Sequence, residues 1–376
     1  MARRETGAHG AHEEGRGGAG GRGGSGRAGG SRRGGRERGR SPRKGDLGHR
    51  GTREAQESRP QEIDAKLGLP AHLVAAVRGS FDAETAGRIF AGWEHAAARR
   101  VTLRANTLRA TAGEVRAALG DAGIGWQGVA WYPDAFVLDA GVRERDLWEL
   151  PVYREGKVYL QSLSSMLPPL ALGPRPGQDI LDMCAAPGGK TSQMAALAPA
   201  GAGVGAARIT ACERSAPRAE RLEHNLALLG ATNVQVMRTD ARTLDEWFSF
   251  DQVLLDAPCT GSGTVRTHDD HAARHLTEQL ASGVERSQRA LIDRGLTVLK
   301  AGGTLVYSTC SVLPRENEGI VSWALAHHPE CELVDVGLPE GAIGDSALPS
   351  KLEGTALVCP GELYEGFFVA KLRKLG

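Results

Sequence analysis

The stretch L-D-M-C-A-A-P-G-G-K-T-S-Q-M, residues 181–194, reads as the end of a buried strand, a glycine turn and the opening of a helix. Gly188 and Gly189 permit close backbone approach, and the amides that open the next helix favour an anionic group. The G-K-T ending invites comparison with the phosphate loop G-x-x-x-x-G-K-[ST], with V-L-L-D at 253–256 as its acidic partner strand. Cys184 stands where that loop requires its first glycine, and the dinucleotide fingerprint G-x-G-x-x-G is absent. What remains is an S-adenosylmethionine site, in which the loop wraps the amino-acid end of the cofactor and acids at later strand ends catch its hydroxyls and base.

Outward from this loop, strands alternate with helices. The candidate strands are D-I-L-D-M (179–183), R-I-T-A-C (208–212), V-Q-V-M-R (234–238), Q-V-L-L-D (252–256), T-L-V-Y-S (304–308) and G-F-F-V-A-K-L (366–372). Between the second and third, Leu222, Leu226 and Leu229 share a helix face and Gly230 sits at a natural C-cap. This rhythm predicts an α/β fold with a doubly wound, Rossmann-like sheet. Three acids follow successive strands: Glu213, placed for ribose hydroxyls, Asp240, placed for the adenine amino group, and Asp256. A lone acid after a strand is usually a helix cap or a solvated loop residue, but three on one sheet argue for a site.

D-A-P-C-T-G-S-G (256–263) ends the fourth strand and Y-S-T-C-S-V-L-P-R-E-N-E (307–318) ends the fifth. Neighbouring strands lie about 5 Å apart, and ligands of such sheets bind beyond the carboxyl ends. Cys259 and Cys310 are therefore expected to face one cleft. A single cysteine at a strand end is most often a small buried hydrophobe; two at adjacent strand mouths favour chemistry. Methylation of cytosine at C5 needs such a pair, because C5 becomes nucleophilic only after a thiolate adds to C6, and a second group must help release the product. An acid near N3 is also required, and Asp256 lies three residues before Cys259.

With D-M-C-A-A-P-G-G-K-T, D-A-P-C-T-G-S-G and Y-S-T-C-S-V-L-P-R-E-N-E in this order, the chain resembles the Sun-domain family of RNA cytosine-C5 methyltransferases over roughly residues 100 to 374. R-A-N-T-L-R (104–109) and Y-L-Q-S-L-S-S-M-L-P (159–168) look like that family's lead-in to its catalytic domain. The resemblance implies Cys310 as nucleophile and Cys259 as the residue assisting release. It also implies cofactor contacts from Cys184, Ala185, Ala186, Pro187, Gly188, Gly189 and Lys190, with Glu213, Asp240 and Asp256. Lys190 is expected to support the site electrostatically, a surface lysine at a helix start being the alternative. No metal is expected, and H-D-D-H at 268–271 reads as a substrate-facing loop. Cys212, Cys331 and Cys359 read as packing residues.

Residues 1–60 carry 15 Lys or Arg against 7 Asp or Glu, about +8, so with a total of +1 the remainder is near −7. Runs such as G-R-G-G-A-G-G-R-G-G-S-G-R hold almost no large apolar side chains and predict disorder. Interleaved Arg and Gly can follow a nucleic-acid backbone; a solubilising tail or an over-extended start site is the alternative. Residues 61–100 have helical spacing in L-P-A-H-L-V-A-A-V and I-F-A-G-W-E-H-A-A-A. The expected organisation is a tail over 1–60, a small helical and α+β module over 61–150 and a catalytic domain over 151–376. No apolar run suits a membrane span or signal peptide, and the six cysteines lack metal-site spacing. A soluble, cytoplasmic, monomeric enzyme is expected, acting on RNA, with ribosomal RNA favoured over transfer RNA. A ribosome-assembly factor that binds RNA without catalysis is the reading from another class.

Overall fold

The computed structural model describes residues 62–201, 203–269 and 275–376. The Arg/Gly-rich segment, and with it the expectation of a disordered tail, lies outside the described residues.

The chain enters through two short paired strands, β1 (Ile63–Asp64) and β2 (Leu69–Pro70), and two helices, α1 (Ala71–Ser80) and α2 (Ala83–His95). The Asp82 side chain caps α2 by accepting from the Thr85 amide at 2.7 Å. A four-stranded antiparallel sheet follows, built from β3 (Thr102–Ala105), β4 (Trp126–Val129), β5 (Tyr132–Leu138) and β6 (Val158–Leu160) in the order β4-β5-β3-β6. Helix α3 (Ala112–Asp121) starts on a reciprocal cap between Thr111 and Glu114, and short helices α4 (Glu144–Trp148) and α5 (Pro151–Arg154) lead to β6.

After α6 (Leu163–Leu172) the alternating pattern begins: β7 (Asp179–Asp182), α7 (Gly189–Leu197), β8 (Arg208–Cys212), α8 (Ala216–Leu229), β9 (Val234–Met237) and β10 (Phe250–Asp256). Then come α9 (Glu278–Thr297), β11 (Leu299–Thr309), α10 (Glu318–His327), β12 (Cys331–Val334), β13 (Ala347–Leu348), β14 (Ala356–Val358) and β15 (Phe367–Lys374). The order β13-β14-β15-β11-β10-β7-β8-β9, with β12 also on β15, makes a nine-stranded sheet that is parallel from β11 to β9 and antiparallel at β15. All six expected strands are present. Those at 331–334, 347–348 and 356–358 were not anticipated, because they are short and lack a clean alternating run.

Strand alternation sorts the core onto two faces. Leu181, Val253, Leu255, Leu305 and Tyr307 pack with α9 and α10 through Ile292, Leu296, Ile320 and Val321. Ile180, Leu254 and Val306 pack with α6, α7 and α8 through Met166, Met194 and Leu222. Side chains pointing to alternate faces with a period of two require both faces to be covered, as in a doubly wound sheet. Gly230 ends α8 at φ +73°, as its position suggested. Cys212, Cys331 and Cys359 are buried.

The helical entry segment packs on the large sheet. Leu73, Val77, Ile89 and Trp93 join the apolar cluster of Tyr307 and Val312, and the Trp93 indole donates to the Ser262 carbonyl at 3.0 Å. The R-A-N-T-L-R stretch joins the two sheets. The fully buried Arg104 donates to Gln161 Oε1 at 3.2 Å and to Ser192 Oγ of α7 at 3.1 Å. Asn106 donates to the Gly156 and Leu229 carbonyls, each at 2.7 Å.

Candidate active site

The carboxyl ends of β7, β10 and β11 meet at one point. In the β10–β11 pair Asp256 stands opposite Ser308, so the two cysteines, three and two residues further on, leave the sheet side by side. Their sulfurs lie 3.1 Å apart. The hydrogen bond with Cys310, then burial, hold the Cys259 thiol well above its ordinary range, and the nearby Glu316 charge adds to the rise. Either sulfur can be the donor of this contact.

Beside the thiols, Lys190 Nζ sits 2.8 Å from Asp256 Oδ2, donates to Ser165 Oγ at 2.7 Å and lies over the Phe367 ring at 5.6 Å. Burial pushes the Lys190 ammonium down, but the charge of Asp256 and its hydrogen bond outweigh that effect and hold it above its ordinary value. Lys190 is thus no solvated surface lysine. Ser308 Oγ donates to the other oxygen of Asp256 at 2.7 Å. Behind them Asp182, fully buried, accepts from Thr191 Oγ1 at 2.7 Å; burial pushes its carboxyl up to about 6, against the Thr191 hydrogen bond and with the help of the Asp256 charge.

The loop from Cys184 to Lys190 runs along the floor. Gly188 adopts φ +106°, and a Cβ on Gly189 would stand 2.7 Å from the Tyr159 ring. The second glycine is therefore demanded by packing against β6 as well as by any ligand. Burial holds the Cys184 thiol far above its ordinary value. Glu213 is buried at the end of β8, where Oε1 accepts from the Ser215 amide at 2.8 Å and Oε2 lies 3.3 Å from Arg218. Asp240 caps the turn after β9 by accepting from the Arg242 amide at 3.1 Å, and it also takes the Arg242 guanidinium, with Nε 2.9 Å from Oδ1. Cys184, Glu213, Asp240, Asp256, Cys259 and Cys310 all line one cavity of about 760 Å³, roofed by α9.

One residue that sequence reasoning passed over organises the centre. Glu316, the first acid of R-E-N-E, is fully buried. Its carboxylate accepts from the Thr260 amide (2.8 Å), Thr260 Oγ1 (2.6 Å), Ser311 Oγ (3.0 Å) and Gln288 Nε2 (3.3 Å). Its carbonyl accepts from the Tyr307 hydroxyl at 2.6 Å. One side chain thereby ties the Cys259 loop, the Cys310 loop and α9 together. The available signal is an acid six residues after a strand-end cysteine.

Residues 169–373 match the family model described as 16S rRNA methyltransferase RsmB/F. The chain belongs to this family. Ribosomal RNA small subunit methyltransferase B of Sodalis glossinidius is 39% identical over 228 residues, 60% of this chain and 48% of the relative. Ribosomal RNA small subunit methyltransferase F of Klebsiella pneumoniae is 40% identical over 227 residues, 58% and 45% of the two chains. The chain thus spans about half the length of the curated RsmB/F relatives it matches. A solved methyltransferase homologue from Pyrococcus horikoshii is 32% identical, with a TM-score of 0.64 over 82% of this chain and all of that one. NSun6 from the same organism, at 24% identity and a TM-score of 0.69 over 82% and 98%, shares the fold. The three core motifs all fall inside the segment matched by the RsmB/F model.

Proposed function

We propose that this chain methylates C5 of a cytosine in RNA in the cytoplasm, using S-adenosylmethionine. The observation that carries the reading is the pair of thiols at 3.1 Å on adjacent strand ends, beside the Lys190–Asp256 pair. Ribosomal RNA is the favoured substrate because the names of the family and of its curated relatives specify it.

The cavity residues fit the cofactor. Buried Glu213 retains acceptor capacity for two ribose hydroxyls, Asp240 can exchange Arg242 for an adenine amino group, and Cys184 to Lys190 offers backbone groups and the helix-opening amides of α7. Bound S-adenosylmethionine supplies the methyl group. Cys310 Sγ forms a bond to C6 of the base, which moves electron density to C5. As N3 and its neighbouring carbonyl acquire negative charge, the Lys190–Asp256 pair can supply the compensating proton and positive charge. After C5 has been methylated, a water acting as base takes its proton, the C5–H electron pair restores the C5–C6 double bond and the C6–S pair returns to Cys310 as thiolate. Cys259, kept beside Cys310 by the Glu316 network, assists that release.

The test is direct. Cys310→Ala should abolish methylation of purified small-subunit rRNA, and Cys259→Ala should accumulate a covalent protein–RNA adduct, visible as a denaturation-resistant band. Full activity in both variants would sink the reading, and modification confined to transfer RNA in bisulfite sequencing would move the substrate.

A further inference from the structure

A second cavity, of about 560 Å³, adjoins the first across Cys184, Ala186 and Asp256. It opens between the smaller sheet and the carboxyl ends of the larger one, on the side of Lys190 away from Glu213 and Asp240. Its walls carry five cations, Arg99, Arg100, Arg143, Lys190 and Arg266. Three are engaged by their surroundings. Lys190 is held by Asp256 and Ser165. Arg143 makes two bonds to Asp146, at 3.2 and 3.0 Å. Arg100 donates to the Leu138 carbonyl at 2.6 Å and sits 3.5 Å from Asp139.

Arg99 and Arg266 differ. Arg99 is mostly buried, donates through Nε to the Gly361 carbonyl at 3.2 Å and has Glu365 only at 3.8 Å from Nη1; its buried Nη2 meets no acceptor. Arg266 is exposed at the rim and has no ion pair or hydrogen bond among the described residues. Burial and then the charge of Arg266 both weigh against the Arg99 guanidinium, with Glu365 opposing them. A buried guanidinium N–H without an acceptor costs about 1 to 3 kcal/mol, and a like charge nearby adds to it. An anion between the two would relieve both costs, and a phosphodiester matches the guanidinium fork in shape and charge.

We propose that Arg99 and Arg266 grip a backbone phosphate of the RNA strand adjoining the cytidine whose base reaches Cys310. The clamp rests on the reading of the protein as an RNA cytosine methyltransferase and names the part of the substrate that the second cavity holds. Backbone contacts of this kind set register and orientation and carry no base preference. The clamp therefore orients the strand while the Asp256–Lys190 pair meets the base.

The experiment uses the full chain and a short single-stranded uridine tract containing one cytidine, with binding followed by fluorescence anisotropy across a salt series. Arg266→Met, at an exposed position, should weaken binding roughly tenfold at low salt and flatten the slope of log K against log salt by about 0.7, one phosphate's share for a single strand. Arg99→Met should do the same where it folds. Arg143→Met, whose guanidinium is already taken, should leave the slope as it is. A neutral methylphosphonate linkage beside the cytidine should weaken binding to the wild type and have no further effect on Arg266→Met. An unchanged slope in Arg266→Met, or an equal loss in Arg143→Met, would overturn the clamp. Failure of methyl transfer with the clamp's signature intact would instead count against the catalytic reading alone, because binding needs neither thiol.

Discussion

The two halves of the large cavity are held together in different ways. On the thiol side, the loops after β10 and β11 are locked by buried side chains: Glu316 collects four donors from three segments, Ser262 and Ser311 bond at 2.8 Å, and Trp93 braces the Ser262 carbonyl. On the cofactor side, the carboxylates are paired with arginines half open to solvent: Arg218 at Glu213 and Arg242 at Asp240. Chemistry at C5 and C6 needs two sulfurs at a set separation, which a network of buried hydrogen bonds maintains. Binding of a polar ligand needs acceptors whose present partners can be displaced at small cost. Buried hydrogen bonds are concentrated on the thiol side.

The hardest test of this contrast is Glu316→Ala. It strips the acceptor from four donors at once and should lower stability by about 3 kcal/mol, measured as a denaturant midpoint. Loosening of the two cysteine loops should cut methyl transfer about a hundredfold, while cofactor affinity by calorimetry stays within about threefold. A parallel loss of both would show that the two sides are one unit.

A middle-sized effect is expected at Asp182, behind the junction of the halves. Its folded carboxyl is raised to about 6. A raised carboxyl contributes stability below the unfolded value and loses it as pH rises through the folded one. Asp182→Asn removes that dependence, so its stability relative to the wild type should climb by about 3 kcal/mol between roughly pH 4 and 7. Urea midpoints across that range would show it, and parallel profiles for the two proteins would remove Asp182 as the cause.

The smallest effect belongs to Arg242→Ala. The pair with Asp240 is partly solvated, so stability should change by less than about 1 kcal/mol and cofactor affinity by no more than about threefold. A large drop in calorimetric affinity would make Arg242 a cofactor contact in its own right and erase the contrast on that side.

Local pattern made the β7-to-β11 repeat, the glycine loop, the C-cap at Gly230 and the acids after β8, β9 and β10 legible, because each rests on spacing within one element or one turn. The placement of Cys259 and Cys310 at neighbouring strand mouths followed from strand order alone. Trp93, Arg104 and Glu316 were not legible in the same way. Trp93 looks like any helix-face aromatic, Arg104 like a strand-edge cation and Glu316 like a turn residue, until partners 169, 88 and 56 positions away are brought to them.

The amino-acid sequence by itself therefore determined the doubly wound sheet, the end of it that carries the site and the residue types that meet there. Tertiary structure alone decided the 3.1 Å sulfur separation, the pairing of Lys190 with Asp256 and the buried Arg99 Nη2 that meets no acceptor among the described residues. The division has a physical cause. Periodicity and turn chemistry act between near neighbours, whereas the protonation of a thiol or the satisfaction of a buried charge depends on which distant groups share its low-dielectric surroundings.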